Sequence, residues 1–178
     1  MQHYDFPKTF RALYDHAVAL YREGRRGAET YFDTDQSAWL AANGLSAQAL
    51  YDYAEDEVAQ GEPGYAHALA IELVRRDYFL NAQHGHGSTR IADPATWPGK
   101  DAAVEGIQWL PRIIPKALAK LRGELPSSMM YCCGGDRRFF KAHDILPAEF
   151  LTLVWRHQDD PPAIINWVVS RRTVPALR

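Results

Sequence analysis

The sequence predicts an all-α protein of about six to eight helices, arranged as two helical subdomains packed together. Three observations carry this. Apolar residues recur at steps of three and four through most of the chain, and no run alternates convincingly with the period of a strand. One stretch, residues 85–100, loses both periods to three glycines and two prolines. The expected division is therefore a helical subdomain over 1–84, an irregular crossing over 85–100 and a second helical subdomain over 101–178.

Element by element, Phe10, Leu13, Ala17, Leu20 and Tyr21 share one face of a first helix that Gly24 can end. "TDQSAWLAANG" reads as a short helix with Thr34 as N-cap and Gly44 as stop. Ser46 then caps "AQALYDYAEDEVAQG", with Leu50, Ala54 and Val58 as a narrow stripe. Pro63 suits the start of the next helix, on which Leu69, Leu73, Arg76 and Leu80 fall on one side. Trp97 in the irregular stretch argues for an ordered segment, since a large aromatic packs on something. In "WLPRIIPKALAKLRGEL" a single face holds Leu110, Ile113, Ile114, Ala117, Leu118 and Leu121. Pro111 fits the first turn there, whereas Pro115 removes an internal hydrogen bond and should kink or delay the helix. Asp136, Pro147 and Asp160 with Pro161 mark three further helix starts, and the closing "TVPALR" is expected to fray. The expected core is Leu13, Leu20, Trp39, Leu69, Leu73, Leu110, Ile114, Leu118, Phe139, Leu151 and Trp167.

Composition excludes several function classes. A chain of 178 residues that is 47% hydrophobic can build a core without covalent staples, and 20 basic against 22 acidic residues give a net charge of -2, which does not favour nucleic acid. No apolar run approaches the length of a membrane span, so no membrane partner is expected. The only two cysteines, Cys132 and Cys133, are neighbours, and adjacent side chains rarely reach disulfide geometry. Reduced thiols in the cytoplasm are the expectation.

"IQWLPRIIPKALAKLRGELP", "DRRFFKAHDILPAEFLTLVW" and the closing "INWV" resemble a bacterial family catalogued as domain of unknown function 5069. Its members share an "LPR" helix, a "D-x-R-F" stretch and a final tryptophan-containing helix. The resemblance covers the second half of the chain, with "RRDYFLNAQHG" belonging to the same wider group. It implies a helical bacterial protein and carries no activity.

The residues able to do chemistry fall into a few groups. His84 and His86 carry imidazoles that titrate near neutral pH, but neither has a ligand three or four positions earlier, so no metal site is expected. The plainer account is a helix end, with Gly85 or Gly87 left-handed. Arg75, Arg76, Asp77 and Tyr78 interrupt a core-forming helix; the arginines offer planar forks for an anion, or simply pair with Glu72, Glu55 or Asp56. Asp52, Glu55 and Asp56 form an acidic turn beside Tyr51 and Tyr53, and His67 can approach it from the next helix. In "YCCGGDRRFFKAH", free amides with Arg137 and Arg138 can hold an anion, although Asp136 competes as a cap. A cysteine there is a nucleophile if a neighbouring cation stabilises its thiolate, and otherwise a buried inert side chain. Arg112, Lys116 and Lys120, at steps of four, read as a solvated face.

The functional expectation is a small enzyme acting on an anionic small molecule in a pocket between the halves. His67, His84 and Asp56 are the acid and base candidates, and Arg75, Arg76, Tyr78, Tyr53, His86 and Arg137 the binding candidates. No cofactor is specified. The competing expectation is a non-catalytic ligand-binding or protein-interaction module, including association into a homo-oligomer.

Overall fold

A computed structural model describes residues 3–171; the closing segment expected to fray lies outside the described residues. The described residues form eight α-helices and one two-stranded ribbon, an all-α fold as the sequence predicts. The chain splits into two compact units, Met1–Gly87 and Ser88–Arg178.

The first unit holds α1 (Phe6–Arg22), α2 (Thr34–Ala42), α3 (Ala47–Gln60) and α4 (Tyr65–Asn81). Helix α1 packs chiefly against α3 and also against α4. It buries Phe6, Phe10, Leu13, Tyr14, Ala17 and Val18, while α3 buries Leu50, Tyr53 and Ala54 and α4 buries Ala68, Ile71 and Phe79. Local chemistry sets the ends. Ser46 accepts from Ala49 N to cap α3, and Asp33, one position before the expected Thr34, caps α2 in a reciprocal box with Gln36. Gly44 is left-handed and lies so close to the Phe79 ring that a Cβ there would collide with it.

In α4 the buried face is not the expected one. Leu73 is 39% exposed, and the buried residues are Ala68, Ile71, Glu72, Arg75, Arg76, Tyr78 and Phe79, so of the expected face Arg76 is buried as read. Steps of three and four are kept, but the face is rotated by about one position because charged residues that find partners can occupy it. Helix α4 then closes through His84 and Gly85, both left-handed, with Gly85 N donating to Phe79 O at 2.9 Å. The stretch around His84 is thus a helix end, and His84 and His86 are both exposed.

The second unit begins with irregular chain pinned onto its own helices. Ser88 Oγ donates to Glu124 Oε1 at 2.7 Å, Ala92 N to Glu124 O at 2.8 Å, and Arg112 to Pro98 O at 2.7 Å, while the Arg112 guanidinium also lies over the Trp97 ring. A ribbon follows that the sequence does not announce, with β1 (Ala103–Val104) antiparallel to β2 (Ile107–Gln108). Its turn residues Glu105 and Gly106 both have positive φ, the geometry of the tightest hairpin turns. Helix α5 (Leu110–Arg122) runs through Pro115 without being delayed, and packs on α7 (Pro147–Arg156). The shorter α6 (Gly134–Ala142) and α8 (Pro161–Arg171) complete the unit. Tyr131, Phe139, Phe140 and Phe150 form an aromatic core with rings 5.6–6.0 Å apart, and Tyr131 donates to Pro147 O at 2.8 Å. Of the other residues expected in the core, Trp39, Leu69, Leu118 and Trp167 are half-buried.

The rotated face of α4 has a direct test. Ile71→Ala should cost about 2–5 kcal/mol in urea denaturation, while Leu73→Ala should change stability by less than about 0.5 kcal/mol. Equal costs would contradict the burial described.

Candidate functional site

The densest polar constellation in the second unit is built around one carboxylate. Asp136, in the first turn of α6, is fully buried. Its Oδ2 accepts from Lys116 Nζ at 2.7 Å and Cys132 N at 2.9 Å, and its Oδ1 from Trp109 Nε1 at 2.9 Å. Lys116 is 3% exposed, and its ammonium also donates to Cys133 Sγ at 3.2 Å. Lys120, one turn on, is buried too, so the lysines of the expected solvated stripe face inward. Taking a lysine and an aspartate out of water is tolerated only because each neutralises the other and further donors fill the carboxylate's lone pairs.

These bonds hold Trp109 in an uncommon place. It is the N-cap of α5 with φ 71, left-handed for a bulky side chain, which costs on the order of 1–3 kcal/mol. Gly135 lies flat against the indole, where any Cβ would collide with its ring. The indole therefore forms a fixed wall.

Beside that wall lies a cleft of about 300 Å³. Ile107, Trp109 and Phe139 supply apolar surface, and Lys100, Gln108, Arg138 and His143 supply polar groups; no aspartate or glutamate lines it. Arg138 and Lys100 are exposed, and the His143 ring packs on Phe139 at 4.8 Å. Arg137, the neighbour singled out from sequence, points inward instead and donates to Cys132 O at 2.8 Å. Arg138 was named with Arg137 as an anion holder, whereas Lys100 and His143 were missed because they lie far from it in sequence with no common spacing. One signal was present: in "GGDRRFF", one arginine facing in leaves the next facing out.

In the first unit the sequence-nominated residues separate. Tyr53, 1% exposed, donates to Glu72 Oε1 at 2.8 Å, and the Glu72 charge acts on Arg75. Arg75 donates to Gln83 at 3.0 Å. Arg76 donates to Asn43 Oδ1 at 2.6 Å, meets His3 Nδ1 at 2.7 Å and stacks over Phe6. Burial lowers the pKa of both guanidiniums. Tyr78 is buried, Asp56 half-buried and His67 exposed. A groove of about 540 Å³ lies between α1 and α2, lined by Phe6, Trp39, Asn43, Asp5, Lys8 and Thr9. None of His67, His84 or Asp56 lines this groove or the cleft beside Trp109.

Among the described residues no three of His, Cys, Asp or Glu stand together as a metal site, and no helix is long and apolar enough to cross a membrane. No family model, no curated protein and no solved structure matches the chain.

Two outcomes follow from Asp136 and its neighbour. Asp136→Ala leaves the Lys116 ammonium buried beside no anion and should cost about 3–5 kcal/mol in urea unfolding. Cys132 is buried, which with the Asp136 charge pushes its thiol from 9.0 up to about 12. The native chain then keeps this proton after the unfolded chain has lost it. That stability is whole below pH 9.0 and is lost as pH rises towards about 12. Urea midpoints of the wild type should therefore fall above pH 9.0, and Cys132→Ala should fall less steeply.

Proposed function

We propose that this protein binds a small molecule with an anionic group beside a planar apolar part, in the cleft walled by Trp109 and Phe139. The supporting observation is the sign of the lining. Lys100, Arg138 and His143 surround the cleft with no carboxylate among them, while the groove in the first unit carries both Asp5 and Lys8. A guanidinium forms paired charge-assisted bonds to a carboxylate or phosphate, and a rigid indole gives a flat ring something to stack on at little entropic cost. The cleft is at the small end of ligand sites, which suits a single ring or a short chain.

The test is titration of the protein with phenyl phosphate and with benzoate, followed by calorimetry and by amide shifts, with phenol as the uncharged control. Both anions should bind, phenol should bind much more weakly, and the shifts should centre on Trp109 and Arg138. Arg138→Ala, at an exposed position, should leave stability within about 0.5 kcal/mol and weaken the anions by about tenfold or more, the value of one charge-assisted hydrogen bond. Equal affinity for phenol, or an unaffected Arg138→Ala variant, would contradict the reading.

A further inference from the structure

The groove between α1 and α2 lies within the first unit and shares no lining residue with the Trp109 cleft. Its volume of about 540 Å³ is in the range of small-molecule sites. The aromatic wall is held in place: the Phe6 ring, 2% exposed, stacks on Trp39 at 5.3 Å, and the Arg76 guanidinium lies 4.8 Å from the Phe6 centroid. Trp39 is half-buried and borders the groove, so part of its indole is open to a ligand. Asn43, 1% exposed, borders it from the end of α2. A guanidinium only donates, so the bond from Arg76 Nε at 2.6 Å assigns Oδ1 to the arginine and leaves both amide N–H groups on the other atom. One goes to Trp39 O at 2.8 Å, and the other has no acceptor among the described residues. Asp5 and Lys8, both exposed, line the same groove from the start of α1. Among the described residues neither side chain makes a hydrogen bond or ion pair; Asp5 does not cap its helix, and the two do not pair with each other.

We propose that this groove binds a zwitterionic small molecule, an α-amino acid with an aromatic side chain. The ligand ammonium meets Asp5, the ligand carboxylate meets Lys8 and the spare Asn43 N–H, and the ring lies on Trp39. Opposite charges on the ligand match opposite charges on the wall. A simple anion gains Lys8 but is repelled by Asp5, and a simple cation gains Asp5 but is repelled by Lys8, so the pair selects against both. The spacing agrees: an α-amino acid carries its two charges on one carbon, and residues three apart on a helix have Cβ atoms about 5–6 Å apart. The Trp109 cleft has no carboxylate in its lining, so the two sites sort ligands by whether an ammonium accompanies the anion.

This proposal is independent of the Trp109 cleft. The full-length protein is titrated with L-phenylalanine and with two analogues that each lack one charge, 3-phenylpropanoate and phenethylamine. Affinity is read from the indole N–H shift of Trp39, assigned as the signal that Trp39→Phe removes, so an anion bound beside Trp109 does not enter the result. Phenylalanine should bind at least about fivefold more tightly than either analogue, the upper value for an exposed ion pair. The variants should then sort by charge. Asp5→Asn should weaken phenylalanine about fivefold and not weaken 3-phenylpropanoate, whereas Lys8→Met should weaken phenylalanine by a similar factor and not weaken phenethylamine. Both positions are exposed and unpartnered among the described residues, so both variants should keep the urea midpoint of the wild type. A Trp39 signal that phenylalanine does not move, an analogue that binds as tightly as phenylalanine, or a variant that weakens all three ligands alike would each overturn the proposal and leave Asp5 and Lys8 as solvated surface charges.

Discussion

The second unit is organised by the burial of Asp136. A carboxylate with no access to water must have its charge balanced and its lone pairs filled, and this one draws its donors from α5 with its N-cap and from the loop before α6. Lys116 comes from the middle of α5, Trp109 from the turn that starts it, and the Cys132 amide from the loop before α6. Satisfying one group therefore fixes α5 and its N-cap against the loop and first turn of α6. The rest is built on that fixed frame. Gly135 fits beneath the indole, Arg137 turns inward to the Cys132 carbonyl, and Arg138 is left facing the cleft. Such a pair adds little net stability compared with apolar packing of the same shape, because desolvation offsets its attraction. Its effect is selective: a shifted α6 would leave both charges buried without partners.

The first unit uses the same device with a different outcome. Glu72 and Arg75 lie on the inward face of α4, with Tyr53 reaching Glu72 from α3 and Gln83 reaching Arg75 from the helix end. Arg76 ties α4 to Asn43 at the end of α2 and to the aromatic face of Phe6. These arginines are occupied by the protein itself, so they act as struts of the helical core, whereas Lys100 and Arg138 are exposed and line the Trp109 cleft. The difference lies in which groups the fold leaves around each charge, not in the charges themselves.

How much of this was legible depends on how far apart the interacting atoms are. Helix starts at Ser46, Pro147 and Pro161 and the stop at Gly44 were readable because capping and the freedom of glycine act within a few residues. The ribbon was not, because two-residue strands are too short to show alternation. Hydropathy also set the inward face of α4 about one position off and put Lys116 and Lys120 outside, since a pattern that scores charge as polar cannot see that a partner awaits it. The candidate cleft was legible only in part: the "YCCGGDRRFFKAH" cluster pointed to the right stretch, while Lys100, Gln108 and Trp109 came from elsewhere.

The sequence by itself determined an all-α chain and where most of its helices begin and end. These follow from backbone bonds four residues apart and from caps adjacent to them. Only the tertiary structure decided which charges are buried, which arginine of an adjacent pair faces the cleft, and which of two neighbouring cysteines meets a lysine. The physical reason is distance along the chain. Asp136 finds Lys116 at a separation of 20 residues and Glu72 finds Tyr53 at 19, and a charge enters the core only when folding delivers such a partner.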